Sequence, residues 1–243
     1  MKISTKRDAL FAQLQTVTRA ASTRSAVQAL SGVHLQARSG AIELRATDME
    51  IGLRVPLEGE VVRDGAVVLP ARLLVDVIRA LPGDEVTLEL GPSEQDVELV
   101  GGNANFHIRT LRLEDFPPFP ETDADGRVQV PGPGFVETVL KVARSASRDG
   151  TRPVRTGILV SASGEELRMV ATDSYRLSVK ETRLDAPLEG SFEANVPARA
   201  LQELTRIVQH GSADQLAVSG RANQVVPTLD RIAGLAVFRQ RVA

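Results

Sequence analysis

Two hydrophobic periods take turns along this chain. Between Lys6 and Ala20, Leu10, Leu14 and Val17 recur at three- and four-residue spacing, which predicts a helix with Ser4 or Thr5 as its N-cap. Val33, Leu35 and Ala37 then alternate with His34, Gln36 and Arg38, and after the Ser39-Gly40 turn Ile42, Leu44 and Ala46 alternate with Glu43 and Arg45. That period of two predicts a half-buried hairpin. Ile51, Leu53 and Val55 continue it to Pro56, and Val61-Val62 and Ala66 to Leu69 predict two further short strands. Pro70 suits the first turn of a second helix, where its missing N–H costs nothing. Leu73, Leu74, Val77, Ile78 and Leu81 form that helix's apolar face, Arg72, Asp76 and Arg79 its polar one, and Pro82-Gly83 stops it. Strands return at Val86 to Leu90, at Val97 to Leu99 and, beyond the Gly101-Gly102-Asn103 turn, at Phe106 to Leu113.

The chain then repeats itself. Val68-Leu-Pro-Ala-Arg-Leu-Leu74 is echoed by Asn195-Val-Pro-Ala-Arg-Ala-Leu201, Ala46-Thr-Asp48 by Ala171-Thr-Asp173, and Gly32-Val-His-Leu35 by Gly157-Ile-Leu-Val160. The echoes keep their order at an offset of about 125 residues, as a tandem duplication requires. Each repeat reads helix, strands, helix, strands, so a motif of roughly 60 residues is used twice within it. Phe116-Pro-Pro-Phe-Pro120 is stiff and extended, and Asp123 to Gly126 is turn-forming, so the domain boundary belongs there. We divide the chain at residues 1–120 and 121–243.

In the second repeat, Val136, Val139, Leu140 and Ala143 predict a third helix with Lys141, Arg144 and Arg148 along its polar side. Strands at 157–162, 166–172 and 175–182 copy the first repeat. Pro197 opens a fourth helix with Leu201, Leu204, Ile207 and Val208 inward and Arg199 and Arg206 outward. Val226-Pro-Thr-Leu-Asp-Arg-Ile232 begins like the exit at Ile108, but from about residue 233 the repeat pattern fails, and Pro227 falls where an unbroken strand is expected.

Composition narrows the classes. The 243 residues are 42% hydrophobic and 25% charged, ordinary for a globular protein, and with 3% aromatics the cores must be aliphatic. There is no cysteine, which excludes disulfides, thiolate metal sites and a cysteine nucleophile. The start has no apolar signal segment and no apolar run reaches about 18 residues, so a cytoplasmic protein with no membrane contact is expected.

Candidate chemistry is basic. Arg19 and Arg144, Arg72 and Arg199, and Arg79 and Arg206 stand one repeat apart on polar helix faces, a recurrence that core packing does not require. Equivalent faces carrying arginine, with Lys141, Arg148 and Arg24, make a positive track on a chain of net charge -2, suited to a phosphate backbone. The plainer reading is a solvated helix face paired with Asp76, Glu137 and Glu203. Asp48 and Asp173 read as turn caps rather than catalytic carboxylates, and Asp123 and Asp125 as linker turn rather than half a calcium loop. His34, His107 and His210 have no metal spacing, and no nucleophile or phosphate-loop motif is present. Phe106 reads as core, or else as an edge-strand residue forming a subunit contact.

The Arg24 turn, Ala46-Thr-Asp48, Val68-Leu-Pro-Ala-Arg72, Leu111 to Phe119 with its Phe-Pro exit, and Thr172-Asp-Ser-Tyr-Arg-Leu177 together resemble the bacterial DNA polymerase III β subunit family, the sliding clamps. The likeness runs from residue 1 to about 232. It implies an α+β clamp fold, tandem domains each of two β-α-β-β-β units, with helices on one side and antiparallel sheets on the other. It implies a non-catalytic processivity factor, without cofactor or metal, that encircles duplex DNA and tethers the replicative polymerase. Partners would be double-stranded DNA, the polymerase III α subunit, the clamp loader and further copies in a homo-oligomeric ring.

Arg24, Arg72, Arg79, Arg144, Arg148, Arg199 and Arg206 are expected at the phosphates. Arg152, Thr172, Tyr175, Arg176 and Leu177 match the central domain's half of the family's partner-peptide pocket, and Phe106 matches its subunit interface. Family members have three such domains and the resemblance finds two here, so a homo-oligomeric ring is implied only if two domains per chain allow closure. The alternative function is a truncated clamp, either an interaction module or a non-functional fragment, that never encircles DNA.

Overall fold

The computed structural model describes residues 1–119, 128–184, 187, 191–211, 215–221, 224–228 and 235–238. It divides into two compact units, Met1–Asp48 with Gly52–Phe119, and Met49–Ile51 with Pro120–Ala243. The turn at Asp123 to Gly126, the chain from 229 to 234 and the last five residues lie outside the described residues.

Unit 1 contains β1 (Lys2–Lys6), α1 (Arg7–Val17), β2 (Gly32–Arg38), β3 (Ala41–Thr47), β4 (Ile51–Leu57), β5 (Glu60–Arg63), β6 (Gly65–Pro70), α2 (Ala71–Ala80), β7 (Glu85–Leu90), β8 (Asp96–Gly101) and β9 (Ala104–Arg109). Unit 2 contains β10 (Val128–Pro131), α3 (Gly132–Val142), α4 (Pro153–Thr156), β11 (Gly157–Ser163), β12 (Glu166–Thr172), β13 (Leu177–Arg183), β14 (Ser191–Pro197), α5 (Ala198–Gly211), β15 (Gln215–Arg221), β16 (Gln224–Thr228) and β17 (Leu235–Phe238). Each unit is therefore two β-α-β-β-β motifs, with β5 added in the first.

The motifs exchange their first strands. In unit 1, β1 joins the sheet ordered β5-β1-β7-β8-β9, while β6 joins β4-β3-β2-β6. In unit 2, β10 pairs with β15 in the run β10-β15-β16-β17, and β14 pairs with β11 in β13-β12-β11-β14. All these pairings are antiparallel, and the exchange makes each unit one core instead of two. The helices α1 and α2 pack together, as do α3 and α5. Leu10, Leu14, Leu74 and Ile78 meet the inward faces of the unit 1 sheets, and Phe135, Val139, Leu201, Leu204 and Ile207 do so in unit 2. Two hydroxyl pairs also hold α3 and its following turn against β13: Thr138 to Thr182 at 2.6 Å and Ser145 to Ser178 at 2.6 Å. Both bind the polar-faced helix to the sheet beneath it.

Several expectations need correction. Ser4 and Thr5 belong to β1, a strand the sequence reading missed; Lys6 takes the cap position and no side chain caps α1. Thr5 Oγ1 instead donates to the Glu58 carbonyl at 2.6 Å. Pro70 and Pro197 end strands rather than open helices: Pro70 has ψ 116°, still extended, and pairs across from Gly32, so the helix starts at Ala71. Leu73 and Leu140 are exposed, at 48% and 49%, because the 100° step between helical residues turns Leu74 and Val139 inward in their place. Arg148 lies beyond both α3 and the single 3₁₀ turn Ala143–Ser145 that ends it. Pro227 is buried inside β16, opposite Val218 of β15. The Val226-Pro-Thr stretch therefore occupies the place of β8, not of the exit after β9, and β17 takes the place of β9.

Candidate nucleic-acid interface

The polar faces of the helices carry their cations outward. Arg24, Arg72, Arg79, Arg144, Arg148, Arg199 and Arg206 are all exposed. They differ in company. Arg24, Arg72, Arg144 and Arg148 have no side-chain hydrogen bond or ion pair among the described residues. Arg79 sits 3.9 Å from Asp76 and lies over the ring of Phe11, 5.5 Å from its centroid. Arg206 donates from Nη1 to Glu203 Oε1, and Lys141 donates to Glu137 Oε1 at 2.6 Å, which holds the Glu137 carboxyl below its ordinary range. Both the phosphate-track reading and the solvated-face reading thus have a physical counterpart: some cations are paired along the helix and others are not.

In unit 2 the loop after α3 closes on itself. Asp149 Oδ1 accepts from Thr151 Oγ1 at 2.7 Å and from the Thr151 N–H at 3.0 Å, and these bonds keep its carboxyl below the usual carboxylate range. That turn fixes the chain between Arg148 and Arg152. The second half of the basin is the β12–β13 hairpin. Asp173 Oδ1 accepts the N–H groups of Tyr175 and Arg176, each at 3.1 Å, and Oδ2 accepts from Arg176 Nε at 2.9 Å. Partial desolvation opposes ionisation there, but the two backbone N–H groups and the guanidinium outweigh it and lower the pKa. The Thr172 hydroxyl donates to the Arg176 carbonyl at 2.8 Å and accepts the Ser174 N–H at 3.1 Å. Tyr175 is left 98% exposed and Leu177 exposed beside it.

One open basin in unit 2 is lined by Arg144, Arg148, Arg152, Arg155, Arg176 and Arg199, with Tyr175 at its rim. Residues assigned from sequence to two different tasks, phosphate contact and partner-peptide binding, meet there. Arg206 is outside this basin, and Thr172 and Leu177 adjoin it through the hairpin. Arg155 escaped the sequence reading. Its guanidinium donates to Ser174 Oγ and supports the hairpin, but the equivalent stretch of the first repeat carries no arginine, so comparison of repeats could not find it.

Phe106 is 39% exposed on β9, which among the described residues pairs only with β8 and stands at the edge of its sheet. The core reading fails and the edge-strand position stands. Among the described residues no group of three or more His, Asp or Glu side chains could hold a metal ion, and no helix is long and apolar enough to cross a membrane.

Comparison with known proteins first defines a class. The structure superposes on the DNA polymerase sliding clamp of Bacillus subtilis with a TM-score of 0.91, at 24% identity, over 100% of this chain and 65% of that one, so the fold is the α+β clamp fold. The family description "DNA polymerase III beta subunit, N-terminal domain" matches residues 1–120, and "DNA polymerase III beta subunit, central domain" matches residues 129–233. The chain is 31% identical over 227 residues to the beta sliding clamp of Micrococcus luteus, covering 93% of this chain and 72% of that protein. It is 34% identical over 223 residues to the beta sliding clamp of Streptomyces coelicolor, covering 90% of this chain and 58% of that protein. The chain belongs to the DNA polymerase III β subunit family. It spans less than two thirds of the Streptomyces relative's length.

Proposed function

We propose that this chain is a DNA sliding clamp protein, acting at duplex DNA as a processivity factor for the replicative polymerase. The observation that carries the reading is the recurrence of exposed arginine at equivalent helix positions of both repeats, Arg72 with Arg199 and Arg79 with Arg206, in a chain of the β subunit family. Arg24, Arg144 and Arg148 complete the phosphate-contacting set. Charge alone suffices for this task, because a phosphate backbone is held without reading sequence. The chain supplies no catalytic step and works in the cytoplasm as an accessory subunit with one domain at 1–120 and the next at 121–243. The basin bearing Arg152, Tyr175 and Arg176, with Thr172 and Leu177 alongside, receives a peptide of the polymerase α subunit or the clamp loader. Phe106 contributes to contacts between copies.

The test is charge reversal. Arg79→Glu with Arg206→Glu is expected to weaken retention on duplex DNA and to flatten the dependence of log K on log salt by up to roughly 2, at most one contact for each arginine. Unchanged affinity and slope would remove the assignment.

The exposed Phe106 on an edge strand favours one second reading, a module that joins other clamp subunits without encircling DNA. A heteromer with a full-length clamp that is lost on Phe106→Ala, together with DNA binding indifferent to the arginine reversals, is the outcome that selects it.

A further inference from the structure

The arginines of the helix faces differ in electrostatic company: Arg79 and Arg206, one repeat apart, each face an acid on their own helix, and Arg199 stands 3.8 Å from Glu50. Three residues before Arg79 on α2 stands Asp76, and three residues before Arg206 on α5 stands Glu203. The spacing places acid and base on one helix face a single turn apart. Asp76 is 3.9 Å from Arg79, with the two side chains 56% and 62% exposed, and an ion pair that open adds little to stability. Glu203 is drawn further in, only 14% exposed, and receives the Arg206 guanidinium directly. The arginines at helix ends and in loops, Arg24, Arg72 and Arg144 with Arg148, have no such partner among the described residues.

We infer that Asp76 and Glu203 are counter-charges that keep Arg79 and Arg206 from gripping a phosphate backbone at full strength, leaving the firm contacts to Arg24, Arg72, Arg144 and Arg148. The inference rests on the DNA-binding reading proposed above and adds how that site is moderated. A guanidinium already facing a carboxylate gains less from a phosphate, since it gives up or shares one charge partner to take another. The carboxylate also remains one helical turn away, fixed to the same backbone, and recaptures the guanidinium when the phosphate leaves. For a protein that must pass from phosphate to phosphate along a duplex, this lowers the cost of leaving each contact. Arg79 is steadied further by the Phe11 ring beneath it, so that it points to the same place whether or not DNA is present.

The experiment measures binding of the whole chain to a short linear DNA duplex across a salt series. Asp76→Asn with Glu203→Gln is expected to bind about three- to tenfold tighter at low salt, with log K against log salt steeper by up to about 0.9 for each freed arginine. Introduced into an Arg79→Gln, Arg206→Gln background, the same acid changes should leave the slope where it was, which separates counter-charging from a general gain of positive charge. Unchanged affinity and slope in the acid variant, while Arg79→Glu with Arg206→Glu weakens binding, overturns the inference and leaves the DNA reading intact. If neither pair of substitutions moves binding, both fall. Should the partly buried Glu203 site not tolerate glutamine, Asp76→Asn alone, on an exposed side chain, carries the test with about half the change in slope.

Discussion

Met49 and Ser174 adopt the same left-handed backbone, with φ 76° and 82°, directly after the two Ala-Thr-Asp tripeptides. Neither is glycine, and a non-glycine residue in that region carries strain that its surroundings must hold. Two repeats have therefore kept one unfavourable turn, at which β3 leads to β4 and β12 to β13. At Ser174 the restraint is visible in the Asp173 carboxylate, which gathers the next two backbone N–H groups, and in the Thr172 hydroxyl, which spans the turn from Ser174 to Arg176. Asp173 is thus a turn cap. It also sets the direction of Arg176 and the exposure of Tyr175.

Asp173→Ala should release this turn. The Tyr175 and Arg176 amides are expected to lose protection in hydrogen exchange, while Asp173→Asn, whose carbonyl oxygen still accepts both N–H groups, keeps much of it. Equal protection in wild type and the alanine variant would mean that the hairpin is held by its strands alone.

Gly157 opens β11 against the side chain of Asn195 in β14. A Cβ placed there would come within 2.0 Å of Asn195 Oδ1, while Asn195 Nδ2 donates to the Val154 carbonyl at 3.0 Å. Gly157→Ala must either displace Asn195 and strand that carbonyl or part the two strands, and a cost of about 1–3 kcal/mol in denaturant unfolding is expected. The three nearest atoms all belong to the Asn195 side chain. In an Asn195→Ala background, Gly157→Ala should therefore cost much less; equal costs in the two backgrounds would place the clash elsewhere.

The sequence made the repeated core legible because periodicity reports which face is covered: the face of α5 follows it throughout, and that of α2 does so except at the exposed Leu73. It failed where burial depends on neighbours distant in the chain. In β1 only Ile3 is both apolar and buried between flanking polar residues, so Lys2-Ile-Ser-Thr-Lys6 has little alternation to find; its strand character comes from β5 and β7 on either side. Phe106 shows the same limit. It has the parity of buried Ile108 and pairs with buried Leu99, so its face is predicted correctly, but among the described residues β9 has a neighbour strand on one side only and the ring remains partly open. At the candidate interface, recurrence in the sequence singles out Arg72, Arg79, Arg144, Arg199 and Arg206, and Arg24 and Arg148 join them as neighbouring cations. Which of them carry a counter-charge is a matter of side-chain direction, which residue spacing allows but does not decide.

His34 connects the fold to pH. It is 8% exposed in β2, stacked on Phe116 with ring centroids 5.0 Å apart, and its Nδ1 is buried with no hydrogen-bond partner among the described residues. Phe119, three residues further along the exit segment, lies beneath Arg45 at 5.9 Å. Burial foremost, and then the positive Arg45, lower the His34 pKa from 6.5 to about 4, with Glu43 acting weakly the other way. The folded protein therefore refuses a proton that the unfolded chain accepts once pH falls below 6.5. The stability linked to His34 is complete above that pH, declines as pH falls, and is lost by pH 4, a change of about 3 kcal/mol. His34→Phe preserves a stacked ring without a titrating group. Its unfolding free energy should fall less between pH 6.5 and 4 than that of the wild type, by up to that amount. Parallel pH profiles for the two proteins, or an imidazole resonance of His34 titrating near 6.5 in the folded state, would show that the ring is not held neutral by its surroundings.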